Sequence, residues 1–403
     1  RKGRGWGRGP DGKGSAAHLA IMRSSSKLSG VGSLLAVPAA LVVALLAKVA
    51  VEAVPAQAWS QAASSVGEGV GAGVDVLARA FNPTPVATAK DLGVPFDRYT
   101  VKDEFGREIE FYVSTPPAPP PTSSDGQPGK NLPLALFVQG SGASSLFQKA
   151  PDGRIGGGLQ NLLLREAKGR FRVMCVEKPG VTFLDAPAQP GSAEGTTEVF
   201  RREHTAERWT VALRAALDAA RTLPGIDASN VLIAGHSEGA DMAAHLARAC
   251  PDVGFVGLLS GGGPTQLFDL AMLASRGQFG SANPEQAIDD VYSTWARIEQ
   301  DPDRIDLMAW GHPYRRWSSF IRTSPLESLK ASAARVYLAY GTNDRAVPPE
   351  SAELTRATLV AAGRDVVVDR REGEDHGFSK PGQDPSAGFA QVFAGLIRWW
   401  LGD

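Results

Sequence analysis

Three observations predict an α/β fold built on a mostly parallel, doubly wound sheet. Short apolar runs alternate with helical stretches from residue 134 to the carboxyl end, as expected of strands buried on both faces and joined by crossover helices. One apolar run ends in Gly-x-Ser-x-Gly and passes directly into a helical stretch, which reads as strand, sharp turn and helix. The other residues suited to acid-base chemistry follow strand-like runs, and open α/β sheets collect functional groups beyond the carboxyl ends of their strands.

The elements follow in order. Residues 98–102 and 107–113 alternate in polarity around Asp103-Glu104-Phe105-Gly106 and predict an amino-terminal hairpin. The prolines of residues 116–121 and the polar residues up to Lys130 cannot lie inside a sheet and form an exposed loop. Strands are expected at 134–138, 173–176, 231–234, 256–259, 336–340 and 366–368, and helices at 158–167, 205–222, 240–249, 349–362 and near 388–400. An insertion at 265–329 carries helical stretches near 267–274 and 284–299. The expected organisation is an amino-terminal extension over 1–58, a linker or packed arm over 59–95, and one catalytic domain over 96–403.

The amino terminus is a different kind of sequence. Residues 1–14 are rich in Arg, Lys and Gly and stand outside any fold reasoning. From Met22, the basic Arg23 and Lys27 precede an uncharged apolar run at 31–47, and Ala56-Gln57-Ala58 offers a small-x-small cleavage site. This has the form of a secretory signal peptide. The alternative is an uncleaved membrane anchor, because the run just reaches the lower end of the roughly 17–25 residues that span a bilayer. Both readings imply export.

Composition excludes several classes. With 42 Lys+Arg against 43 Asp+Glu, the net charge of -1 gives no reason to expect a nucleic-acid partner. Cys175 and Cys250 are expected to be buried free thiols. Leu259-Ser260-Gly261-Gly262-Gly263-Pro264 lacks the Lys-Ser/Thr ending of a phosphate loop and reads as a tight turn. No pair of the six histidines has zinc-helix spacing, so neither metal nor cofactor is expected.

The chemistry centres on Gly235-His236-Ser237-Glu238-Gly239. Such a turn strains the serine backbone and exposes its hydroxyl, which makes Ser237 the candidate nucleophile. A serine needs a base, and the base needs an orienting group. Asp344, in the loop after strand 336–340, is the candidate acid. His376, in Gly373-Glu374-Asp375-His376-Gly377-Phe378 after strand 366–368, is the candidate base. His236 and His245 are expected to pack around the elbow helix, and His312, the one rival base, precedes Asp344.

The order Ser237, Asp344, His376 and these motifs resemble the α/β-hydrolase superfamily over roughly residues 96–401. The passages 341–348 and 373–378 look most like its dienelactone-hydrolase and prolyl-oligopeptidase-like branches. The resemblance implies an α/β-hydrolase fold, a helical cap formed by 265–329, and an oxyanion hole from the amides of Glu238 and Ser141, with Gly142 as the alternative to Ser141. Gln139-Gly140 stands where the family usually has His-Gly, and a backbone donor survives that change. Glu238 sits beside the developing negative charge, so its side chain is expected to turn away. Glu177-Lys178-Pro179-Gly180-Val181 is similar to the family's acidic-basic-x-Gly turn and is expected to be structural while bordering the site. Trp310-Gly311-His312-Pro313-Tyr314-Arg315-Arg316-Trp317 would either line a pocket and clamp a carboxylate or pack cap against body. The expected activity is hydrolysis of a small-molecule ester or thioester through an acyl-enzyme. Peptide cleavage, acyl transfer and non-catalytic binding on the same scaffold are the alternatives.

Overall fold

The computed structural model describes residues 84–116, 131–281 and 283–402. The amino-terminal extension, most of the linker and residues 117–130 of the proline-rich loop lie outside the described residues. In chain order the elements begin with α1 (Ala89–Leu92), β1 (Phe96–Lys102), β2 (Glu108–Ser114), β3 (Leu132–Val138), β4 (Phe147–Lys149), β5 (Ile155–Gly157), α2 (Leu159–Ala167) and β6 (Arg172–Val176). They continue with α3 (Glu198–Glu203), α4 (Ala206–Arg221), β7 (Ile226–His236), α5 (Glu238–Ala249), β8 (Phe255–Leu259), α6 (Gln266–Ser275) and α7 (Pro284–Gln300). The last are β9 (Met308–Ala309), β10 (His312–Pro313), α8 (Tyr314–Ile321), α9 (Pro325–Lys330), β11 (Arg335–Gly341), α10 (Pro349–Ala361), β12 (Val366–Arg371) and α11 (Pro385–Leu401).

Eight strands form one sheet in the order β1-β2-β6-β3-β7-β8-β11-β12. The predicted hairpin β1–β2 is antiparallel, β2 pairs antiparallel with β6, and every later pairing is parallel. The fold is that of an α/β-hydrolase. Side chains alternate across the sheet, so Leu134, Leu136 and Val138 of β3 enter one apolar layer with Trp209, Leu213 and Leu217 of α4. Ala135 and Phe137 enter the opposite layer with Phe393 and Leu396 of α11. Cys250 belongs to the first layer and Cys175 to the second, and both thiols are free and buried.

The insertion divides in two. Leu270, Ala274, Ala287, Val291 and Ile298 of α6 and α7 form a separate apolar cluster with Trp317 and Ile321 of α8. Phe320, Leu326 and Leu329 instead join the core beside α4 and α5. The hairpins β4–β5 and β9–β10 and the short helices α3, α8 and α9 have too few residues to display a period.

Candidate active site

Ser237 joins β7 to α5 with φ 58° and ψ −129°, a left-handed backbone that costs a non-glycine residue energy. The glycines around it are required by close approach. A Cβ on Gly235 would lie 1.9 Å from the Gly239 carbonyl oxygen, and one on Gly239 would lie 2.2 Å from that of Val138. A Cβ on Gly261, in the turn after β8, would lie 2.5 Å from the Ser237 carbonyl oxygen. The serine is therefore clamped between the carboxyl ends of β3 and β8.

Asp344 and His376 come together from the loops after β11 and β12. The buried Asp344 accepts hydrogen bonds at Oδ1 from the Ala346 and Val347 amides, at 2.8 and 2.9 Å. Its Oδ2 lies 2.8 Å from His376 Nδ1. A carboxylate cannot donate, so Nδ1 carries a proton and Nε2 is left free to accept one. The carbonyl of His376 is held twice, by His236 Nε2 at 2.9 Å and by Ser260 Oγ at 3.2 Å. The His236 and His376 ring centroids are 4.6 Å apart, which sets the elbow against the base's loop. Among the described residues no hydrogen bond joins Ser237 Oγ to His376, a link that often closes only around substrate.

The loop after β3 lies across the serine. A Cβ on Gly140 would sit 3.3 Å from Ser237 Cβ and 3.8 Å from its Oγ. The Ser141 and Glu238 amides donate to no protein group among the described residues, so both are available to a ligand oxygen.

Glu238 does turn inward, into a fully buried ionic cluster. Its Oε1 accepts from His204 Nε2 at 3.0 Å and lies 3.5 Å from Lys178 Nζ, while Oε2 meets Arg316 Nη2 at 2.6 Å. His204, Lys178 and Arg316 hold the carboxyl well below its usual range against the opposing effect of burial. Burial pushes the Lys178 ammonium and the His204 imidazole down. Lys178 Nζ also donates to the Gly142 carbonyl oxygen at 2.8 Å and to that of Gly140. The neighbouring Glu177 accepts from Ser145 Oγ at 2.6 Å and from the Leu146 amide. The acidic-basic turn thus braces the loop after β3 at both ends.

The aromatic and cationic segment of the insertion packs inward. Arg316 lies over the rings of Trp317 and Phe320, 4.1 and 4.2 Å from their centroids, and the carboxylate it clamps is the protein's own Glu238. His312 is buried, bonded through Nε2 to the Gly191 carbonyl at 3.1 Å, and pushed well down by burial and by Arg316. Among the described residues no hydrogen bond joins it to Asp344. His245 bonds Ser328 of α9 at 2.9 Å. No group of three or more His, Cys, Asp or Glu among the described residues is placed to hold a metal ion.

The eight-stranded sheet, the glycine-clamped elbow and the residue order are those of the α/β-hydrolase fold. The profile of the prolyl oligopeptidase family matches residues 253–400. No curated protein matches the chain. Among solved structures it is similar to a Mycobacterium tuberculosis puromycin-hydrolyzing peptidase, at 18% identity and TM-score 0.50 over 76% of this chain and 39% of that one. It is also similar to Est1E from Butyrivibrio proteoclasticus with ferulic acid bound, at 14% identity and TM-score 0.50 over 75% of this chain and 99% of that one. The Pyrococcus horikoshii acylaminoacyl peptidase matches at 15% identity and TM-score 0.50, over 76% and 41% of the two chains. The chain therefore spans about two fifths of these peptidases and nearly all of Est1E. At these identities the likeness is one of fold.

Proposed function

We propose that the protein cleaves a carboxylic ester or thioester through an acyl-enzyme on Ser237. The observation that carries this reading is the strained, glycine-clamped Ser237 beside the loop that holds the His376–Asp344 pair. In the first step His376 Nε2 takes the hydroxyl proton while Ser237 Oγ bonds to the substrate carbonyl carbon. The oxyanion that forms receives the Ser141 and Glu238 amides. The intermediate collapses, the scissile bond breaks, and the leaving alkoxide or thiolate takes the proton from His376. Water, giving a proton to the same nitrogen, then attacks the acyl carbon and releases the acid and a free serine.

The prolyl oligopeptidase match over 253–400 supports a second reading, cleavage of a peptide bond by the same residues. Acyl transfer would use the same intermediate with another acceptor. The basic and apolar segment between Met22 and residue 47 supports an exported or membrane-anchored enzyme. That segment lies outside the described residues, among which no helix is long and apolar enough to cross a membrane.

The test is labelling of the full chain with a fluorophosphonate, with the adduct located by mass spectrometry, beside Ser237→Ala and His376→Ala. An adduct on Ser237 that both variants lose supports the reading and leads to an ester and peptide substrate screen. A folded protein that takes no label favours a binding protein on this scaffold.

A further inference from the structure

Lys178 occupies an unusual position for a lysine. Its side chain is completely buried, and its ammonium reaches the carbonyl oxygens of Gly140 and Gly142, the residues on either side of Ser141. In a trans peptide the carbonyl and the following N–H point in opposite directions. Fixing the Gly140 carbonyl on Lys178 therefore fixes the Ser141 N–H away from it, and fixing the Gly142 carbonyl locks the Gly142–Ala143 peptide in the same way. The loop needs such a lock, because Gly142 has φ +94° and a Cβ there would lie 2.6 Å from the Gly191 amide nitrogen. A glycine-rich stretch otherwise has many conformations open to it.

The other face of the lysine meets Glu238 Oε1, the side chain of the residue whose amide is the second free donor. A single buried ion pair thus connects both sides of the oxyanion site. Arg316 and His204 complete the environment of Glu238. Two basic side chains, Lys178 and Arg316, therefore face one carboxylate, an excess of positive charge beneath the place where negative charge develops. A buried pair of this kind is weak evidence for stability and better suited to fixing geometry.

We infer that Lys178, anchored by Glu238, is a positioning residue that sets the direction of the Ser141 amide and couples it to the Glu238 amide. This rests on Ser237 being the nucleophile, and the experiment separates the two statements. Fluorophosphonate inactivation of the full chain is followed as a maximal rate and a half-saturating concentration for wild type and Lys178→Met. The half-saturating concentration is expected to stay within about twofold, while the maximal rate falls roughly 10²-fold, as when one oxyanion donor is lost. The acid limb of the pH–rate profile is expected to stay in place, because the His376–Asp344 pair is untouched. The double variant Lys178→Met/Glu238→Gln removes both charges of the pair together and keeps the measurement valid if the single variant fails to fold. It is expected to fold, to melt below wild type because Arg316 keeps no carboxylate partner, and to remain slow. A labelled wild type with Lys178 variants of unchanged maximal rate would overturn the positioning role alone. A wild type that takes no label at Ser237 would overturn the hydrolase reading and this role with it.

Discussion

His236 Nε2 lies 2.9 Å from the backbone carbonyl oxygen of His376, so the residue before Ser237 holds the backbone of the candidate base. Burial, with the nearby His376 adding to it, pushes the His236 imidazole down to about 3. At neutral pH the ring is uncharged and Nε2–H is the donor. Ser260 supplies a second donor to the same carbonyl. His236→Leu is expected to loosen the His376 loop and lower the maximal labelling rate about tenfold, and His236→Leu/Ser260→Ala is expected to lower it further. Inactivation kinetics at pH 7 check this, and unchanged rates in both variants would remove His236 from the positioning network.

Asp344 fixes the tautomer of His376 through Nδ1. Asp344→Asn keeps the shape of the side chain yet can offer its amide to Nδ1, which would turn the ring's proton to Nε2. In serine triads that exchange costs roughly 10⁴-fold in turnover. A comparable loss with a melting temperature near wild type is the expected result, and a loss below tenfold would assign Asp344 a packing role.

The glycines of the elbow can be tested without any substrate. Gly235→Ala places a Cβ 1.9 Å from the Gly239 carbonyl oxygen, an overlap that only backbone movement relieves. We expect a destabilisation of about 3 kcal/mol. Gly254→Ala, whose Cβ meets nothing within 4 Å and whose φ is not positive, is the control and should be close to neutral. Urea unfolding of the two variants decides, and equal stabilities would contradict the close approach described here.

Local chemistry made part of this site readable in the sequence. The Gly-x-Ser-x-Gly turn, the acid after β11 and the histidine after β12 each announce themselves within ten residues, because strand, turn and helix signals are short-range. The sheet was readable for the same reason, as were α6 and α7, which are long enough to show a helical period. What surrounds Glu238 was not readable. Its partners His204 and Arg316 lie 34 and 78 residues away and come from α4's approach and α8, and no spacing rule links residues that only the fold brings together. The same holds for His236 and Ser260, whose shared acceptor is the backbone of His376. Two segments left a trace: the Glu177-Lys178 turn, as a motif at the edge of the site, and residues 310–317, as a candidate carboxylate clamp whose partner is Glu238.

Glu177 gives the fold a pH dependence of predictable sign. Burial pushes its carboxyl from its ordinary value near 4.5 up to about 8, against the hydrogen bonds from Ser145 and Leu146. Between those two values the folded chain keeps a proton that the unfolded chain has released, so stability falls as pH rises through this window. Asp269, also pushed up to about 8 by burial, acts in the same direction. His236 acts oppositely. With its folded value near 3, the unfolded chain binds the extra proton between about 3 and 6.5, and stability rises with pH there. One group contributes up to about 1.4 kcal/mol per pH unit, on the order of 2–4 °C in melting temperature. Melting temperature is therefore expected to decline from pH 6.5 to pH 8. Glu177→Gln should reduce that decline, and Glu177→Gln/Asp269→Asn should flatten it, while in both the buried histidines His204, His236, His245 and His312, all lowered by burial, produce a loss of stability below pH 6. Thermal unfolding from pH 4 to pH 9 checks the slopes. A decline of unchanged steepness in the double variant would mean that both carboxyls are already ionised in the folded protein at pH 6.5.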